Sequence, residues 1–152
     1  MGALLAFFIG LVAGSRAMIA PAAISWAAAT GRIDLTGTWL AFLGYHWTPW
    51  ILTLAALGEL VTDQLPTTPS RKVPVQFTAR VLAGALSGAA IGVSSGSAII
   101  GLVAGAVGAI VGTLVFASLR GRLATQFGQD RPAALIEDVL AIAGGALIAL
   151  AL

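Results

Sequence analysis

The chain has no cysteine and no asparagine, and it carries a single histidine and a single lysine. Without cysteine there is no disulfide, no thiolate metal site and no cysteine nucleophile. Without asparagine there is no N-glycosylation sequon. One histidine, His46, is too few for a histidine metal site. HExxH, GxSxG and phosphate-binding glycine loops are missing too, so the expectation is a non-enzymatic protein with no cofactor and no resident metal. Charge is the scarcest property, with 9% of residues charged against 59% hydrophobic. No Lys/Arg run interleaved with aromatics is present, which argues against a nucleic-acid partner.

Long apolar runs are what the chain does have, several of them near or above the roughly 18–20 residues that span a bilayer. Residues 1–152 read as one all-α integral membrane domain, a polytopic helix bundle of about five spans plus a short interfacial helix. Residues 1–22 lack a basic n-region and place Pro21 between small residues, so they are not expected to be a cleaved signal peptide. The first span covers about residues 3–29. As one straight helix it would run roughly 40 Å against a ~30 Å hydrocarbon core, and Pro21 predicts a kink or break between Gly14 and Pro21. Asp34 to Leu43 reads as the interfacial helix, with Asp34 as its cap and Gly44 as its end. Thr48 and Pro49 look like the N-cap and N1 residues of a second span reaching about Gln64. Trp39, Tyr45, Trp47 and Trp50 surround that junction as an aromatic belt.

Pro66, Pro69 and Pro74 make residues 66–74 a polar loop. A third span is predicted from about Val75 or Phe77 to Val93, a tight turn over Ser94–Ser97, and a fourth span from Ala98 to Leu119. A polar stretch follows from Arg120 to Arg131, and Pro132 at N1 opens a fifth span to Leu152. With five spans, Arg71, Lys72, Arg80, Arg120, Arg122 and Arg131 fall on one side and Arg32 on the other. The positive-inside rule then predicts a membrane protein with its N-terminus cytoplasmic and its C-terminus outside. Gly84, Gly88, Gly92 and Gly96 recur every four residues on one face of span three, opposite Gly101, Gly105, Gly108 and Gly112 of span four. Close backbone approach through small-xxx-small faces predicts that these two spans pack as an antiparallel hairpin. The pentapeptide Gly-Leu-Val-Ala-Gly occurs at 10–14 and again at 101–105, but the match does not extend and is read as coincidence.

Ionisable residues inside the spans are the candidate site. Arg16 cannot shed its proton to escape the bilayer, so it needs carboxylates, carbonyls or water. Glu59 and Asp63, four residues apart, share one face of span two; Glu137 and Asp138 lie two turns into span five; Arg80 begins span three at a similar depth. Arg16 is predicted to be the deepest of the group and to meet Glu59 or Glu137, with Arg80 meeting Asp63. Glu137 is expected to face the interior in preference to Asp138, and Glu59 to lack a local partner. Such a cluster fits a cation or proton site, or a set of salt bridges that lock helices together. His46 sits in the aromatic junction, out of reach of these groups.

Three stretches carry a family resemblance: Gly14 to Pro21, Leu57 to Pro66 running into Thr68-Pro69-Ser70-Arg71, and Leu135 to Asp138. In that order they resemble a family of small, mostly bacterial integral membrane proteins, domain of unknown function four-one-two-six, which implies a bacterial inner membrane as the location. The resemblance covers nearly the whole chain and implies a polytopic membrane protein without an assigned activity. It implies that Arg16, Pro21, Glu59, Asp63, Pro66, Pro69, Ser70, Arg71, Glu137 and Asp138 belong to the family pattern. The functional expectation is a small transporter or channel-like protein for a cation, proton or small polar solute. Its expected partners are membrane lipid and further copies of itself. A non-transporting scaffold held by glycine-rich packing, and a binder of lipid phosphate through Arg16, Arg71 and Lys72, are the alternatives.

Overall fold

A computed structural model describes residues 1–63 and 73–152. These residues form helices α1 (Gly2–Ser15), α2 (Ile19–Ala29), α3 (Thr48–Thr62), α4 (Pro74–Ser94), α5 (Ala98–Phe127) and α6 (Asp130–Ala151), with no strand among them. Helices α4, α5 and α6, at 21, 30 and 22 residues, are long and apolar enough to cross a membrane. Helices α1, α2 and α3 are apolar but shorter.

Several boundaries differ from expectation for local reasons. Helix α5 runs eight residues past Leu119, through a segment assigned to a polar connection. Arg, Leu, Ala and Gln are good helix formers, and the helix stops only at Gly128, whose φ of 65° suits a left-handed C-cap. The Asp34–Leu43 helix does not form. Asp34 instead accepts hydrogen bonds from the Thr36 amide and hydroxyl (2.9 and 2.6 Å), which competes with helix, and one 3-10 turn covers Ala41–Gly44. Thr48 is the first residue of α3, not its cap, and its hydroxyl donates to the Phe42 carbonyl at 2.7 Å.

The largest difference lies in the first predicted span. The chain leaves the helical path at Arg16, which is extended (φ −137°, ψ 111°), and then reverses. A Cβ at Gly2 would strike the side chain of Ser95 at the end of α4, while Arg80 near the start of α4 reaches the carbonyls of Gly14 and Ser15. Helix α1 is thus antiparallel to α4. Gly145 of α6 then faces Ile19 and Ala23, and Arg32 just beyond α2 donates to Leu150 near the end of α6. Helix α2 thus runs parallel to α6, back toward the end from which α1 came. Residues 2–29 form a helical hairpin with its tip at Arg16–Met18 and its legs about 21 and 16 Å long at 1.5 Å per residue. Pro21 is not the breaking residue. It is the third residue of α2, where a missing N–H falls among first-turn amides that have no intrahelical acceptor.

The hairpin sets the polarity of the bundle. One end, here the aromatic end, gathers the start of α1, the α4–α5 turn, the end of α6 and exposed Trp39, Tyr45, Trp47 and Trp50. The other, basic end gathers the end of α3, the start of α4 and the α5–α6 connection. Both described termini lie at the aromatic end. This differs from the expectation that set the termini apart, which assumed a first helix that crosses without turning back.

Glycine faces hold α1, α4 and α5 together. A Cβ at Gly84 would come within 2.7 Å of the Gly105 carbonyl oxygen, and Gly88, Gly92, Gly101 and Gly105 are equally close to backbone across the α4–α5 pair. Gly108 and Gly112 do not join that pair. They face Phe7 and Leu11 of α1, which presents Gly10 and Gly14 to α5 in return. Gly96 faces nothing within 4 Å. It serves the turn before α5, where its φ of 95° suits glycine. Two stretches read as a coincidental repeat, 10–14 and 101–105, thus both supply glycines to one three-helix seam. In lipid such seams replace the hydrophobic effect as the source of helix association.

Candidate functional site

The hairpin tip is buried, so its backbone ends need partners other than solvent. At the C-terminal end of α1, the Arg80 guanidinium donates to the carbonyl oxygens of Gly14 (3.0 Å) and Ser15. The Thr113 hydroxyl of α5 also approaches the Gly14 oxygen at 3.3 Å. At the N-terminal end of α2, the Glu59 carboxylate accepts from the amides of Ala17 and Met18, both at 2.8 Å. A cation thus meets the negative end of one helix dipole and an anion the positive end of the next. Arg80 and Glu59 also face each other, Nη2 to Oε1 at 3.7 Å.

Arg16 projects from the tip between α3 and α6. Its Nε donates to Asp138 Oδ1 at 2.7 Å, and its Nη1 pairs with Asp63. The guanidinium is 0% exposed, and the Asp63 side chain, 8% exposed, also lies 3.7 Å from Arg80. Toward the basic end, Arg120 pairs with Asp130 (Nε to Oδ1, 2.8 Å), reaches the Asp63 carbonyl at 3.4 Å and lies 3.9 Å from Glu137. A cavity of about 30 Å³ borders Arg120 and Glu137, large enough to admit one water molecule.

Arg16, Arg80, Glu59, Asp63, Glu137 and Asp138 are all brought to one region, but their pairing differs from expectation. Arg16 meets Asp63 and Asp138, not Glu59 or Glu137, because reversal at the tip turns its side chain across α3 toward α6. Arg16 is level with Arg80 and Asp138, not deeper, since the tip enters from the aromatic end. Glu59 does have local partners, the two tip amides. Glu137 and Asp138 are both buried, at 4% and 6% exposure, so the choice between them was false. Arg80 does approach Asp63, and it approaches Glu59 equally. Pro66, Pro69, Ser70, Arg71 and Lys72 lie outside the described residues. Asp34 is remote from the cluster, and its hydrogen bonds from the Thr36 hydroxyl and then the Thr36 amide hold its carboxyl below the usual range.

Sequence reasoning missed Arg120 and Asp130, which it placed in a connecting loop. The available signal was the run from Arg120 to Phe127, which holds no proline and whose one glycine is Gly121. It also missed the backbone groups of Gly14, Ser15, Ala17 and Met18. Comparison with family models, with curated proteins and with solved structures found no match. What fold and site define by themselves is a helical protein with three helices fit to cross a membrane and a buried charged cluster at the tip of a helical hairpin.

Proposed function

We propose that the protein is a small membrane transporter whose proton or polar-solute site is the charged cluster around the hairpin tip. The observation that carries this is the buried tip itself, with Glu59 on the α2 amides, Arg80 on the α1 carbonyls and Arg16 between Asp63 and Asp138. Broken helices whose ends meet charge inside the membrane are a recurring way to build a transport site. A salt bridge that only fastened helices would not need an interrupted helix, and buried ion pairs add little stability for their desolvation cost. Carboxylates here alternate with guanidiniums. That arrangement suits exchange of a proton or of a charged solute group better than the all-oxygen cage a bare metal ion takes. A small cavity borders Glu137 and Arg120, on the basic-end side of the cluster.

In this reading α3, α4, α5 and α6 cross the bilayer and the α1–α2 hairpin is re-entrant, which makes four crossings instead of five. The positive-inside rule puts the basic end in the cytoplasm and both described termini outside, in a bacterial inner membrane. Exposed Ile51, Leu54, Leu57 and Val61 along α3 offer an apolar face to lipid or to another copy, and a homo-oligomer belongs to the proposal. Among the residues that carry the resemblance to domain of unknown function four-one-two-six, Arg16, Glu59, Asp63, Glu137 and Asp138 meet in this cluster.

The test is proton and solute flux in liposomes, wild type against Asp138→Asn. Asn keeps the shape and removes the titrating charge, so flux is expected to fall at least tenfold in a variant that still folds. Equal flux in variant and wild type, or no flux in either, would sink the transport reading. A scaffold without transport is favoured by one observation, that every charge named here is engaged. It predicts lost stability and no flux at all.

A further inference from the structure

The geometry points to a binding groove for one anionic phospholipid of the leaflet at the aromatic end, held between α3 and α6 with its headgroup on Arg32. Helices α3 and α6 both pack on α2 but share no broad interface with each other. The gap between them is a groove of about 600 Å³, floored by Ala22, Ala23 and Trp26 and walled by Leu57, Leu60 and Ile142. From Ile142 to Leu150 the wall is about 12 Å long at 1.5 Å per residue. That is close to the ~15 Å depth of one leaflet's hydrocarbon, half of the ~30 Å core.

Charge complementarity selects the occupant. Among the described residues Arg32 is the one charged residue in the lining, and it stands at the groove's aromatic-end mouth. It is exposed and donates from Nη1 to the Leu150 carbonyl at 2.8 Å, one of the five N–H donors a guanidinium carries. Asp34, two residues on, has its carboxylate engaged by Thr36. Trp50, stacked edge-on against Trp26 at 5.0 Å, and Trp47 mark this level as the headgroup region. An acyl chain in the groove thus places its phosphate beside a cation. A second protein copy would instead bring an apolar surface, with nothing for Arg32 to meet. The inference does not rest on transport, because it needs only the groove and Arg32, which stands beyond the end of α2 away from the hairpin tip.

Native mass spectrometry of the intact protein in an equimolar mixture of phosphatidylglycerol and phosphatidylethanolamine tests it. Wild type is expected to retain one phosphatidylglycerol with a roughly five-fold preference, the effect of one basic group at the headgroup level. Arg32→Gln is expected to abolish the preference, Arg32→Lys to keep it, and Ala146→Phe, which fills the groove, to remove the bound lipid. No retained lipid, an unchanged preference in Arg32→Gln, or an Ala146→Phe variant that changes subunit number while keeping its lipid would overturn the inference. If Ala146→Phe does not fold, the Gln and Lys pair at Arg32 decides alone.

Discussion

Glu59→Gln isolates the electrostatic role of the hairpin tip. In the wild type both carboxylate oxygens accept backbone amides at 2.8 Å, from Ala17 and Met18, while Arg80 stands 3.7 Å away. Glutamine keeps one acceptor and turns an NH2 group toward the second amide. One charge-assisted bond, about 1.5–3 kcal/mol, is lost, and a buried amide is left unsatisfied at about 1–3 kcal/mol. Partial relaxation of the tip brings the expected total to about 2–4 kcal/mol. At about 2–4 °C per kcal/mol for a chain of this size, the midpoint of thermal unfolding in detergent, followed by helical circular dichroism, should fall by about 4–16 °C. Coupling to Arg80→Gln in a double-mutant cycle should exceed about 1 kcal/mol, since both residues hold the same tip. A Glu59→Gln change within about 0.5 kcal/mol of wild type, as for an unremarkable surface position, would refute the assignment.

Arg16→Gln leaves Asp138 and Asp63 without the guanidinium between them and should cost about 3–5 kcal/mol by the same unfolding assay, as loss of one member of a buried pair does. Gly105→Ala drives a methyl group into the Gly84 carbonyl and should cost about 1–3 kcal/mol or more, whereas Gly121→Ala, with nothing within 4 Å, should stabilise by about 0.5–1 kcal/mol. Asp34 is a depressed carboxylate, so its contribution to loop order is present above its unfolded value and is lost as pH falls through the lower folded value. Thr36→Val should raise the Asp34 pKa toward the ordinary carboxylate value, measured by NMR titration of its side-chain carbon; an unmoved pKa would remove Thr36 as the cause.

Helix class was legible wherever composition decides it. The apolar runs that became α4, α5 and α6 and the four-residue glycine period across α4 and α5 are one-dimensional signals of helix and close packing. Reversal at Arg16 was not legible, because nothing local requires it. Gly14-Ser15-Arg16 carries no turn dipeptide, and the nearest proline is tolerated inside α2. What makes the turn stable is remote in sequence: Glu59 and Arg80 satisfy the interrupted helix ends, and Gly108 and Gly112 admit α1 beside α5. The same remoteness explains the site. Which residues would cluster followed from scarcity, since charges in an apolar chain must find one another. Which carboxylate met which guanidinium depended on the direction of α1, and an error there exchanged Asp138 for Glu137 and Asp63 for Glu59.

The direction of α1 is therefore the claim to measure, and a chain without cysteine is ready for it. Single cysteines at Ala3, Ser95 and Thr125, in sealed right-side-out membrane vesicles, are treated with a membrane-impermeant maleimide. The re-entrant hairpin predicts that positions 3 and 95 label from the same face and position 125 only after the vesicles are opened. Labelling of position 3 together with position 125, on the face opposite position 95, would contradict the hairpin and the arrangement of charges built on it.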